Sequence, residues 1–568
     1  MPIPKILLKE SIVAAPGFNR WRVPPASIAI HLCIGSVYAW SIFNPALQRE
    51  LGVVGSAAGD WSLKNVVWIF SVAIVFLGLS AAVAGRWLEK VGPRCVGVTA
   101  ALLWGGGFLI GALGIKLHAL WLIYLGYGVL GGCGLGLGYV SPVSTLIRWF
   151  PDRRGMATGL AIMGFGGGAM IGGPLKRYLL AKFAEAPHYL GPENAVTLIT
   201  ENGIRYAETA AGRQEVIVPS AETLLNTFGG ALEPGVYVVG TGNSGAAATF
   251  VTLGLAYMVV MFIAAFAYRV PAEGWLPEGW KRPTADDKTK ALVSSNSVGL
   301  SSAVRTPQFY MLWVVLCCNV TAGIGVLGVA QTMITEIFGS NLTPAVKSGF
   351  FFTSYVLMIS VFNMVGRFFW ASISDWIGRK NTYHIFFVLG GILYLSIPYF
   401  ATRAGASQGV TWFVAFYATT MIIFTMYGGG FATIPAYLAD LFGSKFVGAI
   451  HGRLLTAWST AGVLGPVAIA QLREGSVNKA ITSLVATVDA GTFQAKFGAP
   501  VAELAQLVKA KTVTVQALLE IAPAGTVDPT PTMYNTTMYA MAALLAIGFV
   551  ANLLVKPVAS KHHLPEVH

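Results

Sequence analysis

The chain is 568 residues long, 55% hydrophobic and only 11% charged. Soluble domains carry about 25% charged residues, so this composition excludes a water-soluble globular protein. The formal net charge of +13 has no soluble surface to occupy. That excludes a nucleic-acid-binding role and makes the basic residues a signal of membrane topology.

In chain order, residues 1–25 form an N-terminal segment that lacks the long apolar stretch of a cleaved signal peptide. Twelve apolar runs follow, near 26–46, 62–84, 95–114, 119–147, 155–181, 246–268, 307–331, 348–374, 381–401, 410–438, 447–471 and 534–556. A helix needs about 20 apolar residues to cross the hydrocarbon. A bilayer offers the backbone no water, so each run is predicted to be a transmembrane helix. The glycine-rich stretches Gly126–Gly138 and Gly164–Gly173 are expected to let helices approach closely. The five cysteines, Cys33, Cys95, Cys133, Cys317 and Cys318, fall within or at the ends of these runs. They read as small packing residues and argue against a disulfide framework or a thiol metal site.

Polar segments separate the fifth and sixth runs (182–245) and the eleventh and twelfth (472–533). In the first, Val196–Thr200, then Asn202-Gly203, then Ile204–Tyr206 predicts a β-hairpin. In the second, Val501–Leu519 carries apolar residues at helical spacing. Arg86, Lys90 and Arg94 follow the second run, and Arg148, Arg153 and Arg154 the fourth. Arg269, Lys281, Arg282, Lys288, Lys290 and Arg305 lie in 269–306. The positive-inside rule then puts the even-numbered loops and both termini in the cytoplasm and the two insertions outside. The expected organisation is an N-terminal six-helix bundle (26–268), a cytoplasmic linker (269–306), a second bundle (307–556) and a cytoplasmic tail (557–568). The expected location is the bacterial inner (plasma) membrane.

The two bundles carry one pattern twice. Gly85-Arg86-Trp87-Leu88-Glu89-Lys90-Val91-Gly92-Pro93-Arg94 ends the second run, and Ala371-Ser372-Ile373-Ser374-Asp375-Trp376-Ile377-Gly378-Arg379-Lys380 ends the eighth. Glu89 and Asp375 are 286 residues apart, as are Gly92 and Gly378. Pro142, Gly155 and Gly159 are echoed by Pro435, Gly448 and Gly452, each displaced by 293. Internal duplication in a polytopic membrane protein points to a transporter.

Arg367 breaks this symmetry. It lies eight residues before Asp375, about 12 Å into a hydrocarbon core about 30 Å thick. An arginine there costs at least about 2.5–3.5 kcal/mol, so it must face a polar cavity or a partner. The equivalent position in the first copy is Ala81, so the arginine is not part of the shared scaffold. A guanidinium fork fits one carboxylate bidentately. A structural ion pair within the bundle is the alternative, although Glu336, the acid in view, belongs to the far end of the seventh run.

The duplicated loop pattern resembles that of the major facilitator superfamily, with Glu89 for the usual Asp and Ala371 for the leading Gly. Narrower stretches are similar to the oxalate/formate antiporter family and its monocarboxylate-transporter relatives. These are Gly35 to Trp40, Ser141-Pro142 through Arg148 to Gly155, Asn363 to Arg367, Ser374-Asp375, Gly378-Arg379-Lys380, and Gly428 to Ala432. The resemblance implies a twelve-helix fold of two pseudo-symmetric bundles that moves its solute by alternating access. It also implies that the arginine of the eighth span, here Arg367, holds a carboxylate.

Two departures bear on the substrate. Dicarboxylate-handling members place a lysine in the eleventh span where this chain has Trp458, which favours a monoanion such as formate, lactate or pyruvate over oxalate. Proton-coupled relatives carry an Asp one turn before the arginine, where this chain has Asn363. A neutral amide takes up no proton, so either coupling sits elsewhere or the cycle is exchange. His31, on one helical face with Gly35 and Tyr38, is the candidate proton site, and a packing role is its alternative. Tyr38, Tyr139, Tyr427, Phe431 and Trp458 are expected to line the site. Gly85, Glu89, Lys90, Gly92, Arg94, Asp375, Gly378, Arg379 and Lys380 form the expected cytoplasmic gating motif.

No G-x-x-x-x-G-K-S/T loop, H-E-x-x-H or G-x-S-x-G occurs in the chain. The reading is therefore a carrier of a small organic anion in the lipid bilayer, not an enzyme, without ATP, cofactor, metal or nucleic acid. A facilitator for a neutral or cationic solute and a non-transporting nutrient sensor are its rivals.

Overall fold

The computed structural model describes residues 3–564 apart from 56, 62, 202–203, 210–211, 220–231, 281–296, 339–341, 344–345, 347–349, 407–409, 498–499, 510–512 and 514. Asn202, Gly203, Lys281, Arg282, Lys288 and Lys290 thus lie outside the described residues. Twelve helices among the described residues are long and apolar enough to cross a membrane. They are built on α1 (Pro24–Gly35), α2 (Leu63–Val91), α3 (Pro93–Lys116), α4 (Gly132–Trp149), α5 (Arg154–Phe183), α6 (Ala246–Ala267), α7 (Pro307–Phe338), α8 (Tyr355–Ile377), α9 (Arg379–Ala406), α10 (Thr411–Phe442), α11 (in two pieces, Val447–Leu454 and Thr456–Val485) and α12 (Asn535–Leu554). The fold is that of an integral membrane protein. The chain forms two compact units, Met1–Thr306 with Pro435–Ser459 and Pro557–His568, and Pro307–Ile434 with Thr460–Lys556.

In the first unit, the first span is not the continuous helix its apolar run predicts. α1 stops at Gly35 and the chain continues as a tighter 3-10 stretch, Ser36–Phe43, with Ala39 off helical geometry (φ −95°, ψ 25°). The break follows a stripe on α5. Gly164, Gly168 and Gly172, four residues apart, bring the α5 backbone against Ile28, Leu32 and Ser36. A Cβ on Gly168 would lie 2.4 Å from the Leu32 carbonyl oxygen. α4 is preceded by a wide π-type turn, Tyr124–Gly131, where Gly126 meets the α3 backbone at Gly107 and Gly111.

The first insertion is a small β-domain. Strands β1 (Tyr189–Gly191), β2 (Leu198–Glu201), β3 (Ile204–Thr209), β4 (Gly212–Ile217) and β5 (Val236–Val238) form one antiparallel sheet in the order β1-β5-β4-β3-β2. Leu198 pairs with Ala207 and Val216 with Val238, so alternate residues reach one face. Ala207, Val216, Val236 and Val238 form its core. The predicted hairpin is the β2–β3 pair. The sheet rests on the loop after the first span: Val54 packs with Tyr237, and Gly240 N–H donates to the Leu51 carbonyl at 2.9 Å. That loop is knotted around the Asp60 carboxylate, which accepts from the backbone N–H of Leu51, Gly52 and Ala57 at 2.8, 3.2 and 2.8 Å. At its base, Ser244 donates to the Glu50 carboxylate, and Glu185 and Asn243 exchange backbone hydrogen bonds of 2.9 and 3.0 Å.

In the second unit, α8 begins at Tyr355, later than its apolar run, after a separate turn at Phe350–Thr353. The 30-residue second piece of α11 is about 45 Å long. It outlasts the hydrocarbon and carries the chain into the second insertion. There the predicted helical stretch is split into Leu504–Lys509 and Val515–Leu519. The two insertions occupy matching places in the sequence repeat yet fold differently, one as sheet and one as short helices.

Candidate functional site

The two loop copies share a backbone. Gly92 (φ 90°, ψ 168°) and Gly378 (φ 84°, ψ 150°) sit in the same positive-φ conformation, which is open to glycine and closed to residues with a Cβ. The bases two residues later do the same work in each unit. Arg94 donates to the carbonyls of Phe266 and Tyr268 at the end of α6, at 3.0 and 3.4 Å. Lys380 donates to those of Leu553 and Val555 at the end of α12, at 2.8 and 2.7 Å. Both therefore cap a helix C-terminus, where free carbonyls and the dipole favour a cation.

The acids are wired differently. Glu89 pairs with Arg148 at the end of α4, whereas Asp375 pairs with Arg379 across the α8–α9 turn at 2.6 Å, and Arg379 also donates to Ser374 Oγ at 2.7 Å. Lys90 is exposed. Gly85 lets α2 meet Ala449 of α11, at 2.5 Å from a notional Cβ to its Cα. Nearby, Arg154 donates to the Ala439 carbonyl and Asp440 Oδ1, both at 3.0 Å.

In the second unit, Arg367 is fully buried on α8. Its Nε donates to Asn363 Oδ1, one turn earlier, at 2.9 Å. Its guanidinium carbon lies 5.2 Å from the centre of the Phe431 ring, within cation–π range. Tyr427 meets Phe431 edge-on at 5.4 Å. Glycines make this packing feasible: a Cβ on Gly366 would lie 2.2 Å from the Thr425 carbonyl oxygen, and one on Gly323 would enter the Tyr427 ring. Arg367, Asn363, Phe431 and Tyr427 are therefore one cluster on α8 and α10. Glu336 belongs elsewhere, since it pairs with Arg473 and accepts from Tyr534 Oη at 2.5 Å.

The remaining predicted residues cluster in the first unit. Tyr139 on α4 lies 5.3 Å from His31, 5.6 Å from Phe165 and 5.3 Å from Trp458. Tyr38 lies 4.9 Å from Phe165 and 6.2 Å from Trp458. All five side chains are largely or fully buried. Ala81, the counterpart of Arg367, is 1% exposed, and its carbonyl oxygen lies 2.0 Å from where a Cβ on Gly452 would be. That contact packs the α11 backbone at Gly452 directly on the α2 backbone.

Sequence reasoning missed three polar residues. His451 on α11 is buried 5.9 Å from the Tyr139 ring, and neither of its nitrogens has a hydrogen-bond partner among the described residues. Asn319 on α7 is buried, and its Nδ2 likewise has none; it lines a water-sized cavity with Gly323, Tyr394 and Tyr427. Lys176 on α5 is fully buried. A signal for it was available: it continues the Gly164, Gly168, Gly172 spacing, and a cation inside an apolar run, here beside Arg177, is a functional flag.

Comparison with known proteins bears on both units. The family model described as Major Facilitator Superfamily matches residues 27–189 and 220–466. The chain is 25% identical over 501 residues to an oxalate:formate antiporter of Oxalobacter formigenes, covering 86% of this chain and 95% of that one. It is 22% identical over 474 residues to apicoplast pyruvate carrier 1 of Toxoplasma gondii, covering 75% and 78%. Its fold matches the crystal structure of the E. coli fucose:proton symporter FucP with a TM-score of 0.53 at 12% identity, over 94% of this chain and 99% of that one. A duplicated loop with one glycine conformation, twelve membrane-spanning helices and a family match through both halves agree: the chain belongs to the Major Facilitator Superfamily, and it is a transporter rather than an enzyme.

Proposed function

We propose that this transporter moves a small organic anion by alternating access, and that Arg367 is the residue that holds its carboxylate. The anion is a monocarboxylate such as formate, lactate or pyruvate, with oxalate as the dicarboxylate to test beside them. The supporting observation is Arg367 itself. It is a fully buried guanidinium, with a neutral amide as a hydrogen-bond partner, against an aromatic face. It also stands where the other half of the repeat has a packed alanine. The names of two relatives, an oxalate:formate antiporter and a pyruvate carrier, favour the same substrate class.

In this reading Asn363 sets the orientation of the fork, and Phe431 and Tyr427 exclude water from it. Tyr38, Tyr139 and Trp458 supply further contacts along the route. Energy comes from exchange or from a proton, with His31 as the candidate carrier in the second case. The Glu89–Arg148 and Asp375–Arg379 pairs act as gate charges. In this reading both termini face the cytoplasm, which the loop bases favour, and the membrane is a bacterial inner one.

Uptake into proteoliposomes, with and without internal carboxylate, tests the reading. Wild-type flux of a carboxylate that falls about tenfold or more in Arg367→Gln, as loss of a bidentate charged contact requires, supports it. Stimulation by internal carboxylate identifies exchange. Carboxylate flux that survives the substitution makes Arg367 scaffold, and absence of carboxylate flux in wild type removes the substrate class.

A further inference from the structure

The first span breaks where α5 presents a charge. The α5 stripe Gly164, Gly168, Gly172 ends in Lys176, and the Lys176 ammonium donates to the Ser36 carbonyl at 2.7 Å, the first carbonyl beyond α1. The Phe43 ring also lies beside it, 4.9 Å from Nζ. Ser36 and Phe43 are the two ends of the 3-10 stretch, so this one lysine spans the irregular segment. Lys176 is fully buried, and no carboxylate forms an ion pair with it among the described residues. An ammonium has three donors. One is spent on a carbonyl, and the negative end of a helix dipole amounts to about half a charge. A buried ammonium so partnered is compensated by less than the full charge a carboxylate would bring.

Two further observations point the same way. Trp40 Nε1, on the same stretch, is a buried donor with no hydrogen-bond partner among the described residues. Buried polar groups left unsatisfied in a native structure call for a ligand, a water or a second state. The segment that covers Lys176 is also the irregular part of the first span. It lacks regular α-helical hydrogen bonding and its kink is at Ala39; Gly172 and Gly173 of α5 meet it at Ser36, Ala39 and Ile42, while Tyr38, Trp40 and Phe43 pack on Phe165, Tyr127 and Phe250.

We propose that Lys176 is a second anion-binding residue of this carrier. It takes a carboxylate when the Ser36–Phe43 stretch moves off the α5 stripe, and it returns to the Ser36 carbonyl when the anion leaves. The carboxylate replaces the neutral carbonyl with an acceptor of opposite charge, so anion binding and the bend of the first span are one equilibrium. This rests on the organic-anion reading above.

Thermal unfolding of the purified full chain in detergent tests it, with formate or pyruvate titrated against chloride at matched ionic strength. Wild type is expected to be stabilised by the carboxylate. Arg367→Gln is expected to keep a residual stabilisation with its midpoint shifted about tenfold or more upward. Adding Lys176→Met removes that remainder, and Lys176→Arg in the same background retains it. Lys176→Gln replaces Lys176→Met if the latter does not fold. Two results overturn the proposal: Arg367→Gln alone abolishes the carboxylate effect, or the lysine variants lower the basal Tm and leave the residual effect intact, which makes Lys176 a helix cap only. A wild type that shows neither carboxylate stabilisation nor carboxylate flux refutes the substrate class itself, a failure distinct from both.

Discussion

Arg94 and Lys380 stand 286 residues apart in the sequence and perform one task twice: each donates to two carbonyls that close the last helix of its own unit. The duplicated base is thus a fastener within each unit. Replacing Arg94 with Met should cost about 2 kcal/mol and replacing Lys380 with Met about 1 kcal/mol, because Arg94 is the more buried of the two. Thermal unfolding measures the loss. The apparent KM of either variant should stay within about twofold of wild type, since neither change touches the anion; a larger shift would return these bases to the gate.

Asn363 occupies the place from which a carboxylate would neutralise Arg367. Asn363→Asp should put such a carboxylate one turn from the guanidinium, where the side-chain oxygen already accepts from Nε. The new ion pair competes with substrate, so flux near neutral pH should fall by about tenfold or more. Acidification, which protonates the carboxyl and frees the fork, should restore part of it. Proteoliposome flux across pH reads this directly, and a variant as active as wild type at neutral pH would argue against carboxylate binding at Arg367.

Gly366 holds α8 on α10 without any side chain of its own. Gly366→Ala drives a methyl into the backbone of Thr425, and such overpacking typically costs about 1–3 kcal/mol. Gly391→Ala on α9 meets nothing within 4 Å and should be neutral or slightly stabilising. Side-by-side melting curves of the two variants check the contrast.

Glu50 gives the docking of the β-domain a pH dependence. Burial pushes its carboxyl up to about 7; the Ser244 hydrogen bond works against this shift and the Asp60 charge adds to it. A carboxyl whose pKa is raised by folding binds its proton more tightly in the folded state. Its contribution to stability is therefore complete below about pH 4.5 and lost as pH rises through about 7. The wild-type melting temperature should drop between about pH 5 and pH 8 by more than that of Glu50→Gln, which cannot titrate.

Much of this molecule was legible in its sequence because the bilayer imposes a simple rule. Twelve apolar runs became twelve spans, and a glycine repeated at 92 and 378 became one backbone conformation used twice. Arg367 was legible for the same reason, since a charge in an apolar run is conspicuous. What escaped was set by contacts between spans. The Gly35-Ser36 pair gives only a weak local signal for the end of α1; the break lies against the glycine stripe and lysine of α5, more than a hundred residues away. The second piece of α11 runs on past its apolar stretch because propensity outlasts hydropathy. Arg94 and Lys380 read as loop charges until the ends of α6 and α12 arrived beside them. His451 was hidden among small residues that serve helix packing.

The Glu185–Asn243 bridge gives the β-domain a neck two residues wide. Fifty-odd residues enter and leave the membrane unit through one closed point, so their folding imposes no span on α5 or α6. The neck can accordingly be rejoined by a short turn, or the sheet swapped for a reporter whose ends lie close together, at the cost of the sheet's contacts with Leu51 and Val54. The carrier has, in effect, a socket, and what is plugged into it can be changed without rewiring the helices that transport.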